Sequence, residues 1–193
     1  EMVFDTTMTA LVNTTASFGR GGNITFSVFG GSGSATVDPN SGLITPVQAG
    51  TITLTASSAG DVDYNPATTN QLISIYPATP TLTITSANAT VVDGALQAIL
   101  TTTASQDIGT LSYAITNGDR GSALVDGNGL LTAISAGQVT LTITSAGNTN
   151  YNSASVSQNI SIGQATPTLT ITSANEMVFD TTMTALVNTT ASF

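Results

Sequence analysis

Polar and apolar residues alternate along this chain with a period of two. Thr81-Leu82-Thr83-Ile84-Thr85 is one such run, and Val139, Leu141 and Ile143 alternate with Thr140, Thr142 and Thr144 in another. Ile52, Leu54 and Ala56 against Thr51, Thr53 and Thr55 repeat the pattern, and Leu111, Tyr113, Ile115 and Ile24, Phe26, Val28 form two further apolar rows. A period of two puts alternate side chains on opposite faces of a strand, one buried and one wet. Thr suits the wet face, because its branched Cβ favours extended backbone and its hydroxyl stays hydrated. Turn residues separate the runs: Asp38-Pro39-Asn40, Asn117-Gly118-Asp119, Asp126-Gly127-Asn128-Gly129, Ala136-Gly137 and Gly147-Asn148. Strands are predicted near 81–86, 90–92, 96–104, 110–116, 122–126, 130–134, 138–146 and 154–162, and no window reads as an amphipathic helix. Short strands at this spacing predict an all-β chain of small sandwiches.

The chain also repeats itself. Residues 1–18 and 176–193 are the same eighteen letters, an offset of 175, and ATPTLTITSAN occurs at 78–88 and 165–175, an offset of 87. Ser34–Thr45 aligns with Ser122–Thr132, and Ala49–Asn65 with Ala136–Asn152. Each 175-residue period therefore holds two related units of about 87–88 residues. The expected organisation is a repeat over 1–77 lacking its first strand, a complete repeat over 78–164, and the start of the next over 165–193. The connection Gly163-Gln164-Ala165-Thr166-Pro167 leaves little slack, so the units are expected to stack end to end. A strand of about ten residues spans roughly 33 Å, so each unit adds a few nanometres of reach.

Composition narrows the chemistry. Thr, Ser and Asn number 37, 20 and 14 of 193 residues, while charged residues are only 7%, against about 25% in an average domain. The chain has no His, Cys or Trp, and its basic residues are Arg20 and Arg120, so it has no Lys. That excludes His- and Cys-based metal sites, Ser-His-Asp and Cys-His catalysis, Schiff bases and a phosphate-loop lysine. A net charge of −9 argues against nucleic acid and anionic membrane as partners. Apolar runs are too short for a membrane-spanning helix.

The order Ser-Ala-Thr-Val-Asp-Pro-Asn-Ser-Gly-Leu-Ile-Thr (34–45), then Ala-Gly-Thr-Ile-Thr-Leu-Thr (49–55), with its counterparts at 122–132 and 136–142, resembles the bacterial Ig-like (Big) domains of surface adhesins, group 2 above all. Asp61-Val62-Asp63-Tyr64-Asn65, Asn148-Thr149-Asn150-Tyr151-Asn152 and the following Ala-Thr-Pro-Thr-Leu resemble junctions between tandem modules of very large secreted proteins, including gliding-type adhesins of Bacteroidota. The resemblance spans both units. It implies tandem Ig-like sandwiches in an extracellular, cell-surface stalk or adhesive filament. Neighbouring repeats, other copies in a filament and surface polymers or glycans are the implied partners.

Several residues are candidate sites. Asp61 and Asp63 offer carboxylates for Ca²⁺, but the matching loop carries Asn148 and Asn150, so a side-chain-closed turn with a capping Tyr is the competing reading. No other metal or cofactor is expected. Asp5, Asp93 and Asp180 share one position near the unit entry, as an inter-unit cation site or, as the plainer reading, caps of a turn. Asp5-Thr6-Thr7 and Asp180-Thr181-Thr182 resemble an O-glycosylation context that points to Thr6 and Thr181. Asn-x-Ser/Thr triplets begin at Asn13, Asn23, Asn88, Asn159 and Asn188, as expected by chance in a Thr-rich chain. Gln71 and Gln158 fall on the inward parity of the last strand and need hydrogen-bond partners or a bulge. Gly30-Gly31-Ser32-Gly33-Ser34 lacks the lysine of a phosphate loop and reads as an inter-strand connection.

Two functions follow. One is a non-enzymatic stalk with a weak, multiplied adhesive surface. The other is a self-assembling extracellular filament with lateral or donor-strand pairing between chains. In the second, only ATPTLTITSAN is missing from the first unit, since 176–193 duplicates 1–18. Carbohydrate binding ranks lower, because aromatics are 5% of the chain, Trp is absent and Phe and Tyr are expected at core or cap positions.

Overall fold

A computed structural model describes residues 1–12, 21–173, 175–179 and 181–189. Every regular element among them is a β-strand. The chain is all-β, and its strands form tandem Ig-like sandwiches.

In the first unit, β1 (Met2–Val3), β7 (Ala67–Tyr76), β6 (Gly50–Ser58) and β3 (Ile24–Gly30) form one sheet in that order. β2 (Met8–Thr9), β5 (Leu43–Gln48) and β4 (Ser34–Val37) form the facing sheet. The second unit repeats this. β9 (Ala89–Val91), β16 (Ala154–Gly163), β15 (Gly137–Ser145) and β12 (Leu111–Asn117) make one sheet, and β10 (Ala95–Gln97), β14 (Leu130–Ser135) and β13 (Ser122–Val125) face it. β8 (Leu82–Ile84) and β11 (Leu100–Thr102) add a two-stranded ladder. The registers correspond: Leu54 pairs with Gln71 as Leu141 pairs with Gln158. Both short entry strands, β1 and β9, lie parallel to the last strand of their own unit. Both β4 and β13 carry an irregularity after their first residue.

The alternation places the cores. Val139, Leu141 and Ile143 are buried and cluster with Leu131, Ile160 and Ile162 from the strands around them. Ile52 and Leu54 cluster likewise with Met2, Ile44, Ile73 and Ile75. Burying each such side chain contributes about 1.5–3 kcal/mol, so two small cores of this kind supply the main drive for folding. The predicted half-buried rows also appear: Phe26 and Val28 pack against the first core, and Leu111, Tyr113 and Ile115 against the second.

Two expectations are corrected. The single strand expected over 96–104 is two, β10 and β11, which pair with different partners, β14 and β8. The ladder changes hands at Ala98, whose N–H is taken by the Gly129 carbonyl. The inward parity of Leu96, Ala98 and Leu100 continues across that crossing, with Ile99 exposed between them, so the pattern of faces shows no boundary there. The general expectation that Phe and Tyr take core or cap positions fails at Phe29, which is 79% exposed. It sits on the outward parity of β3, one residue beyond Val28.

Past the second unit, β17 (Leu169–Ile171) pairs with β18 (Val187–Thr189). Leu169 opposes Thr189 and Ile171 opposes Val187, as Leu82 opposes Thr102 and Ile84 opposes Leu100. The identical strands β8 and β17 thus form the same ladder in the same register, against partners of different sequence, Leu100–Thr102 and Val187–Thr189.

Candidate functional site at the junction of the units

The densest polar constellation among the described residues lies where the first unit meets the second. Its centre is Tyr151, 1% exposed, held in the loop before β16. The Asn148 side chain shapes this loop. Its Oδ1 accepts N–H bonds from Asn150 and Tyr151, and its Nδ2 donates to the Asp107 carbonyl at 2.6 Å. The phenol ring meets Phe4 of the first unit edge to face, with centroids 5.4 Å apart and planes at 83°. Such pairs add about 0.5–1.5 kcal/mol to the area they bury. Phe4 is 2% exposed and clusters with Leu82, Ile108 and Tyr151 of the second unit. A first-unit side chain has therefore entered the second unit's core.

Asp5 follows Phe4 in a left-handed conformation, φ 66°. Non-glycine residues adopt this rarely, Asp and Asn most readily. The turn aims its carboxylate at the second unit. Oδ2 accepts the Tyr151 hydroxyl at 2.5 Å and the Ser105 N–H at 3.3 Å, and Oδ1 accepts the Ser105 hydroxyl. The Tyr151 oxygen in turn accepts N–H bonds from Ser105 and Gln106 at 3.0 and 3.2 Å. Partial burial pushes the Asp5 carboxyl up, but the bonds from Ser105 and Tyr151 together outweigh it and hold its pKa below the ordinary value.

The chain crosses nearby through Tyr76-Pro77-Ala78. Phe4 N–H donates to the Tyr76 carbonyl at 2.8 Å, Ala78 N–H to Asn150 O at 2.9 Å, and Asn152 N–H back to Ala78 O at 2.8 Å. Asn150 ties both units directly. Its Oδ1 accepts the Ala49 N–H at 2.9 Å, and its Nδ2 donates to Gln106 Oε1 at 3.3 Å. The linker is thus pinned on both sides, and its Pro fixes one more torsion.

The other candidates are placed as follows. Asp61 Oδ1 accepts the N–H groups of Asp63 and Tyr64, and Oδ2 accepts that of Gly21 at 2.8 Å. The Gly21 bond leads the group that lowers its pKa. Asp61 thereby does in its turn what Asn148 does in the matching one. Asp61 and Asp63 both lie on the surface of that loop, and no group of three acidic, His or Cys residues gathers around a common point among the described residues. Thr6 and Thr181 are exposed, and each hydroxyl donates at 2.5 Å to the carbonyl three residues earlier, Val3 and Val178. Asp180 and Asn13 lie outside the described residues. Asp93 repeats the left-handed turn of Asp5, φ 63°, and its N–H donates to Ala133. Gln158 stays inward and donates to the Ser86 carbonyl at 3.4 Å, while Gln71 is exposed. Gly31 to Gly33 connects β3 to β4.

Sequence reasoning placed Asp5 at a unit entry and Tyr151 in a cap, but joined neither to Ser105, Phe4 or Asn150. No sequence signal joined them, since the entry pair is Phe4-Asp5 in one unit and Val92-Asp93 in the other, while the Tyr-bearing loop recurs in both.

No helix of the described residues is long and apolar enough to cross a membrane. No protein-family model matches the sequence, and no curated protein matches it. Solved structures similar to it include Drosophila N-cadherin EC1-4 (13% identity, TM-score 0.37, covering 75% of this chain and 42% of that one). They also include domains 4 and 5 of the S-layer protein SbsC (14%, 0.36, 81% and 79%). A third is BT4661, a SusE-like surface polysaccharide-binding protein of Bacteroides thetaiotaomicron (11%, 0.34, 73% and 29%). The chain spans less than half the length of the first and third. At these identities the likeness concerns the fold alone.

Proposed function

We propose that this chain is a non-enzymatic structural and adhesive repeat of a long extracellular cell-surface protein of bacterial Ig-like type. It acts as a stalk and as a weak, multivalent surface. The observation that supports this reading most is the junction. Phe4, Asp5 and the Tyr76-Pro77-Ala78 linker tie one sandwich to the next through a buried aromatic pair and a carboxylate-centred hydrogen-bond set. A chain joined in this way converts repeat number into reach. A surface of Thr and Ser hydroxyls with few charges gives each repeat only weak contacts, which multiply along the chain. Neighbouring repeats are the first partners, and surface polymers or glycans are the outer ones.

The test is the solution shape of the chain by small-angle scattering, against a Phe4→Ala, Asp5→Ala double variant. An extended particle of constant maximum dimension that becomes shorter on average and broader in distribution in the variant supports the stalk. An unchanged distance distribution removes the junction as its source of stiffness.

A further inference from the structure

Phe29 is not alone on the outer face of the first unit's larger sheet. The register places Phe29, Thr53 and Leu72 side by side across β3, β6 and β7, and Thr51 beside Ser74 in the next outward row. Further along β7 the same face carries Tyr76, which pairs with Val3. Leu72 is 69% exposed and Tyr76 48%. Strands stand about 4.8 Å apart and rise about 3.3 Å per residue, so these side chains frame an area of roughly 10 by 13 Å with hydroxyls in its middle. No strand among the described residues carries a charged side chain. The Tyr76 hydroxyl, at the rim, donates to the Glu1 carboxylate at 3.4 Å.

The second unit has the same face with different chemistry. Thr116, Thr140 and Asn159 stand where the first unit has Phe29, Thr53 and Leu72, and Gly163 stands for Tyr76. There the polar groups satisfy one another: Thr140 donates to Asn159 at 2.9 Å, and Thr142 and Ser157 share a bond at 2.8 Å. Leu72 offers Thr53 no acceptor, and neither the Thr53 nor the Ser74 hydroxyl has a partner among the described residues. Thr116 and Asn159 are exposed in the second unit, where β8 is in place on the inner side. The face is therefore open in both units, and only the first lines it with rings. Free hydroxyls beside exposed rings are the groups that hold a sugar: its C–H face lies on a ring, and its hydroxyls exchange hydrogen bonds with Thr and Ser.

Charge and area select the ligand. With Glu1 at the rim and no basic residue on any described strand, the face gives an anionic polymer nothing to pair with. A second copy of the chain needs about 800 Å² per partner for a stable interface. Phe29, Leu72, Tyr76 and Val3 together expose on the order of 400 Å². An outer sheet face is flat, so it suits a ribbon-shaped chain with apolar ring faces. We propose that the outer face of β3, β6 and β7 binds a neutral polysaccharide of the cellulose type, with sugar rings on Phe29, Leu72 and Tyr76 and sugar hydroxyls bonded to Thr53 and Ser74. This rests on the adhesive half of the proposed function and gives it a place and a ligand class. A chain of such periods presents the site once in every 175 residues, so contacts that are weak singly hold the polymer together.

The test is an NMR titration of the 193-residue chain with cellohexaose. Saturable shifts are expected around Phe29, Thr53 and Leu72, with none on β12, β15 or β16. Hexagalacturonate, which is charged, and maltohexaose, whose chain coils, are expected to bind roughly tenfold more weakly or less. A Phe29→Thr, Leu72→Asn variant copies the second unit. It is expected to lose roughly tenfold or more in affinity, while the methyl signals of Ile52 and Leu54 in the core stay native. No saturable shift with cellohexaose, shifts away from this face, equal binding by either comparison oligomer, or unchanged affinity in the variant overturns the proposal. So does a concentration-dependent dimer in sedimentation velocity that the same variant abolishes, which makes a second copy the occupant. None of these readouts depends on the Phe4–Tyr151 junction, so failure here leaves the stalk reading standing, and the reverse holds too.

Discussion

At the scale of single residues, Asp5 and Tyr151 decide how firmly two sandwiches are joined. Tyr151→Phe removes a hydroxyl that accepts from two N–H groups and donates to a carboxylate. Losing a bond to a charged group and leaving two part-buried N–H groups without this acceptor costs about 1 kcal/mol, since Ser105 and Gln106 lie at the surface where water replaces part of the loss. Asp5→Ala acts on the same set. The two changes are therefore expected to be non-additive, with a coupling of about 0.5–3 kcal/mol in a double-mutant cycle read by chemical denaturation. Acid gives an independent check. The Asp5 carboxyl has its folded pKa lowered, so its contribution is fully present above the unfolded value of about 3.9 and is lost as pH falls through the folded one. The junction is expected to be unchanged between pH 7 and pH 5 and to loosen below about pH 4. The Tyr151 ring environment, followed by NMR, reports this, and loosening already at pH 6 contradicts it. None of this partnership was legible in the sequence. Asp5 and Tyr151 are separated by 146 positions, and a pattern of period two reports which face a residue takes, not what lies beyond the end of its sheet.

At the scale of elements, much more could be read in advance. The central strands follow the expected spans to within a residue or two, because each apolar row reflects burial against a facing sheet, and burial is what alternation encodes. The two Ala-Gly turns were visible as well, and the structure shows why glycine stands there. Gly50 and Gly137 open the nine-residue strands β6 and β15 at φ 137° and 145°. A Cβ on Gly50 would sit 2.4 Å from Gly33 N, and one on Gly137 2.2 Å from Gly121 N. Any side chain meets both a disfavoured torsion and a backbone it cannot displace cheaply. Gly137→Ala is expected to destabilise the second unit by roughly 2 kcal/mol or more, a visible drop in its denaturation midpoint. Gly127, whose added Cβ meets nothing within 4 Å, serves as the control: Gly127→Ala should leave the midpoint nearly unchanged. The split of 96–104 escaped sequence reading for a physical reason. A strand that changes partner without changing parity keeps its alternation, and only the hydrogen-bond partners reveal the crossing.

At the scale of the whole molecule, the two units of a period are not equivalent as connectors. The observed junction uses Phe4, the Tyr76-Pro77 linker, and Asn150, whose Oδ1 accepts the Ala49 N–H. At a junction leaving the second unit, alignment puts Val92 in place of Phe4 and Gly163-Gln164 in place of Tyr76-Pro77. Each exchange loosens the joint. Valine brings no ring edge to a facing tyrosine. Gly for Tyr and Gln for Pro release torsions that the first linker holds fixed. A chain built from two 175-residue periods is therefore expected to bend mainly at 163–165 and its equivalents, and to stay straight at 76–78. Electron microscopy of single particles would show units moving in stiff pairs, with a broad angle distribution at every second joint. Replacing Gly163-Gln164 by Tyr-Pro and Val92 by Phe should narrow that distribution toward the one seen within a pair. Equal angular spread at all joints before the replacement contradicts the alternation, and with it the idea that Phe4 and the Tyr-Pro linker set the stiffness of the rod.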